Sequence, residues 1–168
     1  MRRILAFLCL SLVLASLLSG CGLFVEKPTV TEGRFNFTVV YEVNGETVTL
    51  SDVYVCRYAG TEWSLDGGSH RSWEDFFENG SLGDGLLTVA TTDEGHAIHL
   101  VINNRPEYFM SDPTYYGTIP PDIHMRITCT DGESLSCVYD EEEIASHGVR
   151  LLGYEYDEPI ANEYHWYN

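Results

Sequence analysis

From Phe35 to Val43 the chain alternates strictly, with Phe35, Phe37, Val39, Tyr41 and Val43 on one side and Asn36, Thr38, Val40 and Glu42 on the other. In an extended chain successive side chains point to opposite faces, so a period of two suits a strand with one face in a core and does not suit an amphipathic helix. Asn44-Gly45 follows, a pair that accepts the left-handed backbone of a two-residue hairpin, and residues 47–50 return beside the first strand. Whatever this chain folds into must bury one face of that hairpin.

The same reasoning predicts further strands at 53–58, 86–92, 96–103, 122–130, 135–139 and 149–156. In 122–130 the residues Ile123, Met125, Ile127 and Cys129 form the inward set, with His124, Arg126 and Thr128 outward. Two short helices are expected, one opening at Ser72-Trp73-Glu74-Asp75 and one at Asp140-Glu141-Glu142-Glu143. Each places a capping side chain three positions before a carboxylate, and Asn79-Gly80 and Gly148 supply stops. Evenly spaced strands joined by turns, with no long helical pattern between them, indicate an all-β, antiparallel β-sandwich with two short helices. Cys56, a tryptophan at 63 or 73, and Cys129 stand at spacings that loosely resemble the Cys, Trp and Cys of immunoglobulin domains. The tyrosine of that pattern is absent, because the position two before the second cysteine is Ile127, or Leu135 if Cys137 is meant. The resemblance implies a sandwich, immunoglobulin-like or related, and no function.

At the N-terminus Arg2 and Arg3 precede an almost unbroken apolar run from Ile4 to Leu18, followed by Leu18-Ser19-Gly20-Cys21. A positive segment, an apolar segment and a small-residue cleavage site are the parts of a secretory signal. As a helix the run would span roughly 22 Å, short of the roughly 30 Å hydrocarbon core that a permanent span crosses. The string Leu18-Ser19-Gly20-Cys21 resembles the lipobox of bacterial lipoproteins. That resemblance implies a diacylglyceryl group on the Cys21 thiol, removal of residues 1–20, and a lipid-anchored protein on the extracytoplasmic side of a cell membrane. Residues 21–33 then form the lipidated cysteine and a tether, and 34–168 a single β-sandwich domain of ordinary size for one core. Two acyl chains suffice for stable anchoring where one is marginal.

Arg2 and Arg3 leave with the signal, so seven of the nine basic side chains face 26 carboxylates, and the net charge moves from −17 to about −19. Nucleic acid and anionic headgroups are repelled by such a surface, whereas a cationic peptide, protein or metal ion is attracted. The lipid, not the protein surface, is the expected hold on the bilayer. Cys56, Cys129 and Cys137 remain after Cys9 is removed and Cys21 is acylated, and three cannot all pair. A two-residue Asp131-Gly132 turn would set Cys129 against Ser134, whereas a loop centred on Glu133 would set it against Cys137. A bridge from Cys56 to either of the others and three reduced thiols are further alternatives.

His96 and His99 lie three apart on an expected strand and so face opposite ways, which makes them poor joint ligands. Asp140 to Glu143 fits a helix start, where carboxylates meet the positive end of the dipole, better than a calcium loop. Asp66-Gly67-Gly68 and Gly83-Asp84-Gly85 fit ordinary turns. No metal, cofactor or catalytic residue is assigned, and no nucleophile elbow, zinc-protease helix or phosphate loop occurs. The longest irregular stretch, 104–121, carries Tyr108, Phe109, Met110, Asp112, Tyr115 and Tyr116 among Pro106, Pro113, Pro120 and Pro121. Aromatics beside acids in a long loop are a candidate platform for a sugar or peptide, unless the loop folds back so that its aromatics cap one end of the sandwich. The aromatic tail Tyr164-His165-Trp166-Tyr167 is a second place to look. The expected function is a non-catalytic binding module for an envelope protein or saccharide. The alternatives are a hydrolase of cell-wall polymers and a structural or inhibitory module.

Overall fold

The computed structural model describes residues 25–64, 68–103, 105–130, 135–138 and 141–165. The signal segment, Cys21, the Asp131-Gly132 turn, Trp166 and Tyr167 lie outside the described residues. Strand β1 (Lys27–Pro28) is followed by β2 (Glu32–Val43), β3 (Glu46–Ser64), β4 (Gly68–Phe77), β5 (Leu86–Thr91) and β6 (Ala97–Asn103). Helix α1 (Pro106–Phe109) and a 3₁₀ turn (Tyr115–Thr118) lead to β7 (Asp122–Thr130) and β8 (Leu135–Val138). Helix α2 (Glu141–Ser146), β9 (Val149–Tyr156) and β10 (Tyr164–His165) complete the chain.

Phe35, Phe37, Val39 and Tyr41 are buried as the alternation of β2 requires. Asn44 and Gly45 both take positive φ, 52° and 83°, and Val43 pairs with Glu46 across the expected two-residue turn. Residues 47–50 and 53–58 belong to one continuous strand, β3, because β2 pairs with it without a break from Glu46 to Arg57.

All pairings are antiparallel, in two sheets ordered β4-β3-β2-β9 and β5-β6-β7-β8, with β1 and β10 forming a small pair of their own. The two sheets enclose one core, with Phe35, Phe37, Tyr54 and Phe77 from one and Ile98, Leu100, Ile102, Ile123 and Ile127 from the other. Consecutive strands are neighbours around that core, and β9 returns beside β2. This is the cyclic order of an eight-stranded up-and-down barrel split along two seams, β4/β5 and β8/β9. The immunoglobulin sandwich interleaves its strands between sheets instead.

Residues 72–77 are not a helix but the second half of β4, with Trp73 opposite Tyr58 and Asp75 opposite Cys56. A capping pattern is a local preference worth about 1 kcal/mol, and here a long ladder and the burial of Phe77 outweigh it. The second short helix is α1, with Pro106 in its first turn. Glu141 to Glu143 do open α2, and its apolar residue Ile144 is buried. Between β7 and β8, Cys129 pairs with Ser136 and Thr128 with Cys137, so the connection is longer than the Asp-Gly turn predicts and the two cysteines are not ladder partners. Cys56 is a buried free thiol.

Candidate functional site: a clasped end and an open seam

The loop after β6 turns inward. Phe109 and Met110 are fully buried, and the Phe109 ring lies 4.7 Å from that of Phe35 and 5.2 Å from that of Tyr54. Room for this exists because residue 33 is glycine, since a Cβ there would stand 2.7 Å from the Met110 sulfur. The fold-back alternative for this loop is therefore the one observed, and Phe109 and Met110 are cap residues rather than surface contacts. Tyr108 is half-buried, with its ring edge-on to that of Phe109, 5.5 Å between centroids. Tyr116 is exposed and lies 5.9 Å from the Arg105 guanidinium, while the side chain of Tyr115 is outside the described residues.

Asp112 is buried and fully used. Arg71 Nε and Nη2 donate to its carboxylate at 2.7 and 2.8 Å, Trp73 Nε1 at 3.1 Å and the Thr114 amide at 3.1 Å. Burial alone would raise the Asp112 pKa, but the Arg71 and Trp73 hydrogen bonds and the guanidinium charge outweigh it and hold the group below the usual carboxylate range. Arg71 also donates through Nη1 to the Glu26 carbonyl at 2.9 Å and lies 4.5 Å over the Tyr164 ring. Tyr164 donates its hydroxyl to the Met110 carbonyl at 2.8 Å, and the Asn162 side chain bridges the Val30 amide and carbonyl at 2.9 and 3.0 Å. One ion pair thus joins the start of the described chain, the β3–β4 hairpin, the long loop and the C-terminal tail. The loop and the described part of the tail singled out from sequence meet at this clasp.

The opposite end is different. Asp52, 4% exposed, accepts the Val53 and Asn79 amides and Asn79 Nδ2 on one oxygen and the Ser81 amide on the other, at 2.7 to 3.0 Å. These bonds draw the chain out of the first sheet after Phe77, and Leu82, fully buried, pins the crossing to β5. The ladder of β4 with β3 consequently stops at Phe77 opposite Tyr54. Residues 46–52 of β3 are left with β2 on one side and no described strand on the other, and Val89 of β5 shares a cavity with Glu46 and Val48. That cavity, of about 480 Å³, is lined by Tyr41, Val43, Asn44, Glu46, Val48 and Val89. A second, of about 340 Å³, lies under α2 at the other seam, with Met125, Ile144, Val149 and Leu151 as its apolar lining and Glu141 and Glu142 among its polar residues. Because Tyr41 pairs with Leu151 and Val43 with Val149, the two cavities flank the same end of β2 and β9.

The chain matches no family model, no curated protein and no solved structure. The site therefore rests on geometry alone.

His99 shares a hydrogen bond of 3.1 Å with Thr88 on the outer face of the second sheet, and burial and the Arg126 charge lower its pKa. His96 approaches Glu94 at 3.9 Å. Among the described residues no three His, Cys, Asp or Glu side chains gather closely enough to hold a metal ion. No described helix is long and apolar enough to cross a membrane. Sequence reasoning missed the seam, because its cause, the three hydrogen bonds of Asp52 to a turn 27 to 29 residues away, leaves no periodic trace.

Proposed function

We propose that this chain is a lipid-anchored, non-catalytic binding module of a bacterial envelope, which receives an extended polypeptide segment of a protein partner in the seam between β3 and β5. The observation that carries the reading is the polarity of the molecule. Glu26 near the start of the described chain and the clasp lie at one end, and at the other lies a cavity lined by Tyr41, Val43, Asn44, Glu46, Val48 and Val89. Along β3 the two ends, Thr61 beside the clasp and Glu46 at the turn, are separated by 15 residues, or about 50 Å. A tether attached at the clasp end leaves the seam pointing away from the bilayer.

An unpaired edge presents a row of backbone donors and acceptors, and an added strand satisfies them while its alternate side chains enter pockets. The floor at Val43, Val48 and Val89 supplies the apolar half of that recognition. Glu46 at the rim and a net charge of about −19 after signal removal favour a partner carrying Lys or Arg.

The test is a nonapeptide display selection on the acylated protein in vesicles, with Val48→Lys as the counter-target. Enriched segments are expected to alternate apolar and basic residues and to bind the variant at least tenfold more weakly, about 1.4 kcal/mol. Enriched segments that bind both proteins equally would overturn the seam, and binding confined to wall oligosaccharides would favour a saccharide module.

A further inference from the structure

The β3–β4 hairpin outruns the sheet that carries it. Strand β2 begins at Glu32, opposite Arg57, yet β3 continues to Ser64 and pairs with β4 through Trp63–Ser69 and Ser64–Gly68. The seven residues past Arg57 make a two-stranded ribbon about 23 Å long. It is not a loose arm. The Tyr58 and Trp73 rings meet edge to face at 5.5 Å, Ser72 donates its hydroxyl to Glu62 at 2.8 Å, and the Arg71–Asp112 pair fixes it to the clasp. Near its far end Trp63 is 62% exposed.

The segment before β2 runs beside this ribbon in the same direction. The Tyr58 amide donates to the Thr31 carbonyl at 2.8 Å, and Arg71, which pairs with Thr61, donates to the Glu26 carbonyl at 2.9 Å. Followed backwards from Glu32, the chain therefore travels from the root of the ribbon towards its tip. Glu26 lies only five steps along the chain from Cys21, a reach of at most about 18 Å. From Thr61 to Ser64 the ribbon advances about 10 Å further. That reach is long enough for an acylated Cys21 and Trp63 to meet one surface.

We propose that the far part of the ribbon at Trp63 is a second membrane contact, in which Trp63 seats in the headgroup region of the bilayer that holds the acyl chains of Cys21. The inference rests on the reading of Cys21 as the lipidated residue. Tryptophan suits this place because its large ring favours an apolar environment while its N–H keeps a polar partner, which is why it collects at membrane interfaces. Seated there, the stiff ribbon would fix the tilt of the domain, which a flexible tether cannot do, and keep the seam turned outwards.

The test uses the full acylated protein in phosphatidylcholine vesicles whose acyl chains carry bromine near the headgroup. Bromine quenches tryptophan only at contact range. Mass spectrometry of the N-terminal peptide establishes acylation of Cys21, and quenching is compared between the wild-type protein and Trp63→Phe. Trp63 is one of three tryptophans, so its seating is expected to place up to about one third of the emission under quenching, and Trp63→Phe should lose that part. Acylated protein with the same fractional quenching in both forms would overturn the ribbon contact and leave the anchor standing. An unmodified Cys21 would overturn both.

Discussion

Asp112 is the side chain at which the loss of one charge reaches furthest, since its carboxylate and its partner Arg71 are both nearly removed from water, at 1% and 7% exposure. Removing one member of a buried, hydrogen-bonded pair strands the other without water, which costs about 3–5 kcal/mol. Asp112→Asn is therefore expected to lower unfolding stability by an amount in that range, read from urea titration at neutral pH. The pH dependence carries a sign that can be checked in the same experiment. Asp112 and Asp52 both have pKa values held below the ordinary carboxylate value. In each case burial opposes the shift, and it is outweighed by hydrogen bonds, from Arg71 and Trp73 to Asp112 and from the turn amides to Asp52. A carboxyl of this kind contributes stability that is complete above its unfolded pKa of about 3.9 and is lost as pH falls through the lower folded value. Stability should thus decline below about pH 4, and less steeply in Asp112→Asn than in the wild type. A variant as stable as the wild type at pH 7 and equally acid-sensitive would remove the ion pair from its assigned role.

Among the elements, the long loop shows how closely the cap is fitted. A Cβ added to Gly117 would lie 1.8 Å from the carbonyl oxygen of Asp112, so the 3₁₀ turn and the clasp residue touch backbone to backbone. Gly117→Ala is expected to destabilise the domain by more than about 2 kcal/mol, since a backbone clash forces the whole turn to shift. A melting temperature within a degree of the wild type would show that the loop packs otherwise. The strands differ in how much the chain announces of them. Residues 35–43 and 122–128 are half-buried, so their alternation marks both the element and its inward face, and both are observed where the pattern predicts them. The Ser-Trp-Glu-Asp segment at 72–75 carries a helix-start pattern, but its pairing with β3, 12 to 19 residues away, decides its conformation. For Phe109 and Met110 the sequence leaves a surface platform and a folded-back cap as alternatives, and Gly33, far off in sequence, opens the space that decides for the cap.

For the whole molecule, the sheets were legible and their closure was not. Alternation and turn residues lead to an antiparallel all-β fold, which is what forms. Which edges meet and which stay apart depends on Asp52 drawing the chain across at Asn79 and Ser81, and on the Arg71–Asp112 pair gathering both ends of the chain at the capped end. Among the described residues the result is a molecule with two unlike ends, one gathered around the Arg71–Asp112 clasp and one open beside residues 46–52 of β3. That asymmetry is the basis of the proposal that the domain stands on the envelope membrane and offers its seam to an extended segment. The most direct measurement is backbone hydrogen exchange on the acylated protein, with and without the nonapeptide selected on it. Addition of a strand is expected to slow exchange at residues 46–52 of β3 and 86–91 of β5 by tenfold or more, because their edge amides gain partners. Protection confined to the loop around Tyr116, with both edges exchanging as before, would contradict the seam and return the binding site to the capped end.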